Sequence, residues 1–173
     1  MVSIDKSLFY LYDKYILFIY EMGDTMRISA KGRYALAALI YMAQREQNGE
    51  YITILSISEG LGISKIYLEQ VFSLLKKAGL VFSAKGAQGG YQLARPSKAI
   101  TVLDILSAVE VSLFEPAQET VAEKNPAIEK ALRLSAFEVV DQSLRQALRG
   151  ITLADLVRAA EKYKEEQAIM FYI

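Results

Sequence analysis

TILSISEGLGISKIYLEQVFSLLKKAGLVFSAKGAQGGYQLAR, residues Thr53 to Arg95, is the stretch that decides the fold. Thr53 is placed to cap a short helix through Ile54, Leu55, Ile57 and Leu61. Gly60 and Gly62 stand where that helix must stop and turn, because glycine takes positive φ without penalty. Ser64 then offers an N-cap oxygen to a second helix carrying Leu68, Val71, Phe72 and Leu75 on one face. Gly79 ends that helix. Val81–Lys85 and Tyr91–Ala94 read as paired strands, with Gly86, Gly89 and Gly90 at the bend. Two helices across a tight turn with a hairpin behind them make a winged helix-turn-helix, whose second helix fits a major groove.

Composition narrows the chemistry. The 173-residue chain is 53% apolar, enough for a real core, and contains no cysteine and no histidine. Thiolate and imidazole metal sites, iron–sulfur ligation by cysteine, disulfides and His-activated nucleophiles are therefore excluded. Carboxylates remain, but Gly86–Gly90 leads into a strand and not into a helix N-terminus, so it is no phosphate loop. An enzyme has neither nucleophile nor cofactor loop to stand on, and no cofactor or metal is expected. Absence of cysteine fits a cytoplasmic protein.

The formal net charge is zero, yet it is unevenly distributed. Residues 26–100 hold ten Lys/Arg against four Asp/Glu, whereas residues 101–173 hold eight against twelve. The basic part coincides with the helix-turn-helix, and phosphate binding needs local positive charge rather than a high overall pI. Double-stranded DNA is the partner this segregation suggests.

Four short motifs occur in order: Lys31-Gly-Arg-Tyr34, Tyr67-Leu-Glu-Gln70, Ala78-Gly-Leu-Val81 and Gly89-Gly-Tyr91. In these the chain resembles the Rrf-two family of bacterial winged-helix transcription regulators, from Met26 to the C-terminus. The resemblance implies a mainly α fold with a small β-hairpin, a winged helix-turn-helix joined to a long dimerisation helix.

Candidate DNA contacts follow from position. Ser29 is a good N-cap for a first helix over Ser29–Gln47, with Lys31 and Arg33 in its first turn. Cations there oppose the helix dipole unless a phosphate sits beside them; the alternative is that both project into solvent. The first turn of the second motif helix reaches base edges in such folds, which nominates Ser64, Lys65, Tyr67, Glu69 and Gln70. Gln can read adenine and Glu can accept from cytosine. The resemblance carries DNA contact to Ser64, Tyr67, Glu69 and Gln70, although Tyr67 can equally be edge packing. Ile66 departs from the small polar residue of some relatives. In the wing, Lys85 stands where several relatives carry arginine, so it is a phosphate contact and a weaker minor-groove reader. Gln88 and its glycines allow close backbone approach.

Residues 1–25 do not share this pattern. They are rich in Tyr, Phe and Ile, Asp13 and Lys14 interrupt the apolar run, and Tyr15–Tyr20 is too short to cross a membrane. A start site placed too early, with translation from Met26, is the preferred expectation over a genuine or disordered extension.

Residues 26–100 are thus expected to bind DNA and residues 101–173 to form dimerisation helices and a tail. Thr101-Val-Leu-Asp104 and Thr152-Leu-Ala-Asp155 are helix-start boxes, and Val111–Asn125 reads as an acidic loop. Ala127–Arg149 reads as one helix of roughly 33 Å. Its stripe of Ile128, Leu132, Ala136, Val140, Leu144 and Leu148 is too long for one small domain to cover, so a homodimer is expected. Cluster-binding relatives place three cysteines in the acidic loop; none is present here. The apolar ending Ala168–Ile173 either packs on the chain or its dimer mate, or is a docking peptide through Phe171, Tyr172 and Ile173. The chain resembles the cysteine-free branch of the family, the cysteine-metabolism repressors. That resemblance implies cysteine synthase as co-repressor, held through the tail. Direct sensing of a small molecule by the acidic loop, and a winged-helix scaffold without DNA binding, are the alternatives.

Overall fold

The computed structural model describes residues 28–45, 50–86, 89–115 and 118–170. Residues 1–25, Gln88, Phe171, Tyr172 and Ile173, and the expectations stated for them, lie outside these ranges.

Local chemistry sets each boundary of the first three helices. Helix α1 (Ala30–Ala43) is capped by Ser29, whose Oγ accepts from the Gly32 N–H. It is shorter than the expected Ser29–Gln47. Arg45 stacks at 3.5 Å on the Tyr41 ring and donates to the Tyr41 carbonyl at 3.3 Å, satisfying one of the acceptors this helix end leaves open. Helix α2 (Ile54–Leu61) is capped by Thr53 Oγ1, which accepts from Ser56 N–H at 3.1 Å. It stops at Gly62, where φ is 64°, a left-handed conformation that a side chain would strain. Helix α3 (Lys65–Lys77) follows at once.

Strands β1 (Val81–Ala84) and β2 (Gly90–Leu93) form the antiparallel wing, with Val81 opposite Leu93 and Ala84 opposite Gly90. Ile52 adds a third backbone, exchanging N–H···O bonds of 2.9 and 2.8 Å with Tyr91. The hairpin is thereby fastened to the residues just before α2.

Beyond the wing lie α4 (Val102–Val109), α5 (Pro126–Leu132), α6 (Glu138–Arg149) and α7 (Leu153–Met170). Both expected capping boxes form. Thr101 and Asp104 exchange bonds of 2.9 and 3.1 Å, and Thr152 and Asp155 do likewise. The two helix starts also pair with each other, as Val102 N–H reaches the Ile151 carbonyl and Leu153 N–H the Ile100 carbonyl. The main core joins Leu39, Leu68, Phe72, Leu75 and Val81 to Ile105, Val109 and Leu153, so packing is continuous across residue 100.

The expected single helix over Ala127–Arg149 is corrected in two respects. Pro126 is its first residue, which suits a group lacking an N–H, and Asn125 caps it. A π turn over Arg133–Phe137 then joins α5 to α6, so the expected helix runs on without a break but carries a local bulge. Among the described residues, only the end of the apolar stripe is covered: Leu148 is buried and Leu144 half-buried against Val102, Leu106 and Phe114. Ile128, Leu132, Leu134, Phe137, Val139 and Val140 are exposed, Val140 by 66%.

Candidate nucleic-acid interface

The core fixes which way α3 faces. Leu68, Val71, Phe72 and Leu75 are fully buried. At about 100° per residue, Ile66, Gln70, Ser73 and Lys77 fall within about 60° of one another on the opposite side. All four are exposed. Side-chain direction along α3 is therefore dictated by the buried face.

Ser64 occupies the N-cap position, but its side chain makes no capping hydrogen bond, contrary to the expectation drawn from its residue type. The α2–α3 turn is closed instead by Ser58, whose Oγ donates to the Ile63 carbonyl at 2.6 Å. Lys65 and Glu69 are exposed and lie 3.9 Å apart one turn along the helix, a weak surface pair. Gln70 is exposed beside them.

Tyr67 is half-buried, packed edge-on to Tyr34 with ring centroids 5.2 Å apart. The packing alternative is thus part of its role. Through this pair the first turns of α1 and α3 are held together, bringing the segment of Lys31 and Arg33 beside that of Ser64 and Lys65. Tyr34 thus contributes to this arrangement through its ring. On the other flank, Lys76 Nζ donates to Ser83 Oγ at 2.6 Å, tying the end of α3 to the wing, where Lys85 is exposed.

The N-terminus of α1 differs from the expectation. Glu110, the residue following α4, is buried with 7% of its surface exposed. Its Oε1 accepts from Ser29 N–H at 2.9 Å, from Gly32 N–H at 3.1 Å and from Ser29 Oγ. The seat assigned to a DNA phosphate is filled by the chain's own carboxylate, which meets both the free amides and the positive helix end. A Cβ on Gly32 would collide with that carboxylate and with Ile28. Ser29 is accordingly committed to Glu110, while Arg33 is exposed and Lys31 half-buried one turn on.

A second carboxylate orders the acidic loop. Glu129 Oε2 accepts from Thr120 N–H at 3.1 Å and Val121 N–H at 3.0 Å. These amide bonds, Val121's first, hold its carboxyl below the ordinary glutamate range. Asp155 is likewise lowered, chiefly by the hydroxyl and then the amide of Thr152.

Among the described residues, no group of three or more His, Cys, Asp or Glu side chains is arranged to hold a metal. No helix there is long and apolar enough to cross a membrane.

Comparison with known proteins completes the picture. The model of the Rrf2 family, described as iron-dependent transcriptional regulator, matches residues 28–159. The regulator IscR of Yersinia enterocolitica is 37% identical over 132 residues, 76% of this chain and 79% of that protein. IscR of Cereibacter sphaeroides is 45% identical over 86 residues, 49% of this chain and 56% of that protein. The structure of T. potens IscR superposes with a TM-score of 0.61 at 38% identity, covering 83% of this chain and 93% of the other. CymR, the global cysteine regulator of B. subtilis, superposes with a TM-score of 0.59 at 31% identity, covering 78% and 98%.

Proposed function

This chain belongs to the Rrf2 family of transcriptional regulators, which are not enzymes, and from that premise we propose that it is a homodimeric repressor of sulfur and cysteine metabolism genes. The observation that carries DNA reading is the outward face of α3. It is polar around Ile66, lies opposite the buried face and stands within the most basic part of the chain. Ser64, Lys65, Glu69 and Gln70 contact bases or nearby phosphates in this reading, Tyr67 positions the helix, and Lys31, Arg33 and Lys85 contact phosphates.

The iron-dependent description of the family does not transfer to this chain. Cluster iron is held by cysteine thiolates, and this sequence has no cysteine and no histidine. The loop that corresponds to the ligand region offers carboxylates, and Glu129 is engaged by backbone amides. The residues present do not fit an iron–sulfur cluster.

Sensing is therefore assigned to a partner. The likeness to a cysteine regulator and the apolar ending support cysteine synthase as co-repressor, bound through Phe171, Tyr172 and Ile173. A cleft of about 450 Å³ along Glu119–Lys124 favours the second reading, direct binding of a small molecule by that loop. Deleting Phe171–Ile173 separates the two. Loss of cysteine synthase capture with bare operator binding intact supports the tail; unchanged capture removes it. For DNA reading itself, Gln70→Ala is expected to cost about 1–3 kcal/mol on the cognate site and little on random duplex. Equal loss on both would make Gln70 structural.

A further inference from the structure

Ile66 is largely uncovered by the described residues. At 71% exposure it is the most exposed large hydrophobic side chain among the described residues. It sits in the first turn of α3, where the core-facing positions are taken by Leu68, Val71 and Phe72. Gln70 is one turn further along the same line, and Ser73 and Lys77 continue it. Ile66 is thus at the centre of the outward face, not at its edge, and no neighbouring core residue is within its reach by helix geometry. Single exposed hydrophobics are common and need no explanation by themselves. This one differs in its company. Ser64 makes no capping bond, Lys65 and Glu69 lie close by, and the side chains proposed above to meet base edges come from the same first two turns.

A β-branched aliphatic group has one kind of complement in a major groove, the 5-methyl group of thymine. It neither donates nor accepts a hydrogen bond, and against guanine, cytosine or adenine edges it would strip water from polar atoms without replacing their bonds. Its branched χ1 is also stiff, so little rotamer freedom is lost on contact. We infer that Ile66 is a specificity residue that selects a thymine in each half-site by packing against its methyl group. The inference rests on the DNA-reading role of α3, and it adds a base identity that Ser64, Glu69 and Gln70 do not supply.

The test removes a single methyl group from the DNA. Duplexes enriched by the full-length protein from a randomised pool are resynthesised with deoxyuridine at one thymine position at a time, in both half-sites together. Uracil keeps every hydrogen-bonding group of thymine and lacks only the methyl. One position is expected to lose about three- to five-fold in affinity per half-site, the scale of one buried carbon. Ile66→Ala should lose a similar factor on the thymine duplex and be indifferent to uracil at that position. Because Ile66 is exposed and alanine favours helix, the variant should melt with the wild type. Indifference of the wild type to uracil everywhere, or equal losses for Ile66→Ala on both duplexes, overturns the inference and leaves α3 as a DNA reader. Failure to enrich any duplex overturns the reading beneath it as well.

Discussion

Helix α3 and the α5–α6 segment both present a broad outward face, and the two faces have opposite chemistry. On α3, polar and charged side chains surround one isoleucine, and the other apolar side chains are buried or half-buried. On α5–α6, Ile128, Leu132, Phe137, Val139 and Val140 are exposed together, and among the described residues only Leu144 and Leu148 of the stripe find cover. The first face needs water or phosphate beside it; the second is incomplete without another apolar surface. The comparison separates reading from pairing. In the proposed function, specificity resides in a helix held by its own core, and pairing in a segment whose apolar side chains the described residues leave exposed.

The sharpest way to break that division is a charge on the pairing face alone. Val140→Glu should leave the circular dichroism of the chain unchanged, since Val140 is already 66% exposed. Burying an unpaired carboxylate costs several kcal/mol, so sedimentation should show monomers, and operator affinity should fall with the lost second half-site. Leu144 is a poorer choice because it also packs within the chain. A dimer that survives Val140→Glu places the contact elsewhere.

The next largest effect lies where the two parts join. Glu110→Ala would leave the amides of Ser29, part-buried, and Gly32, buried, without their shared acceptor. A loss of about 1–3 kcal/mol is expected. That corresponds to a melting temperature lower by roughly 2–4 °C for each kcal/mol in a chain of this size. Glu110→Gln, which keeps an acceptor oxygen, should recover part of it. No change in melting for the alanine variant would show that the first turn of α1 stands without this contact.

What the sequence reveals and what it conceals divide along similar lines. Thr53, Thr101 and Thr152 are legible as caps because an N-cap and its partner lie within one turn. Gly62 is legible because left-handed backbone favours one residue type. The core of α3 follows from its spacing. Glu110 on Ser29 was not legible, since the two are 81 residues apart and no periodicity links them. Ser64 misleads for the same reason: its residue type suits a cap, but tertiary packing of the turn leaves the bond unmade. The π turn over Arg133–Phe137 has no residue signal, and a stripe at four-residue spacing does not reveal it. Glu129 reads as one more acid in an acidic region, although its carboxylate organises Thr120 and Val121.

The smallest effect concerns that loop. The folded value of Glu129 lies below its ordinary one, so the tie contributes fully above the ordinary glutamate range. It is lost as pH falls through the lowered folded value. The amide resonances of Thr120 and Val121 should therefore move together in acid, and Glu129→Gln should flatten that dependence. Independent movement of the two amides would mean that they do not share one acceptor in solution.

Selection of duplexes from a randomised pool by the full-length protein tests most directly the joining of a rigid reading helix to a pairing face. The expected product is a two-fold symmetric site, with half-site centres one helical turn, about 10–10.5 base pairs, or a multiple of it apart. Its enrichment should weaken with Gln70→Ala, and Val140→Glu should abolish the two-fold symmetry. Enrichment of a single asymmetric site, or of none, would contradict it.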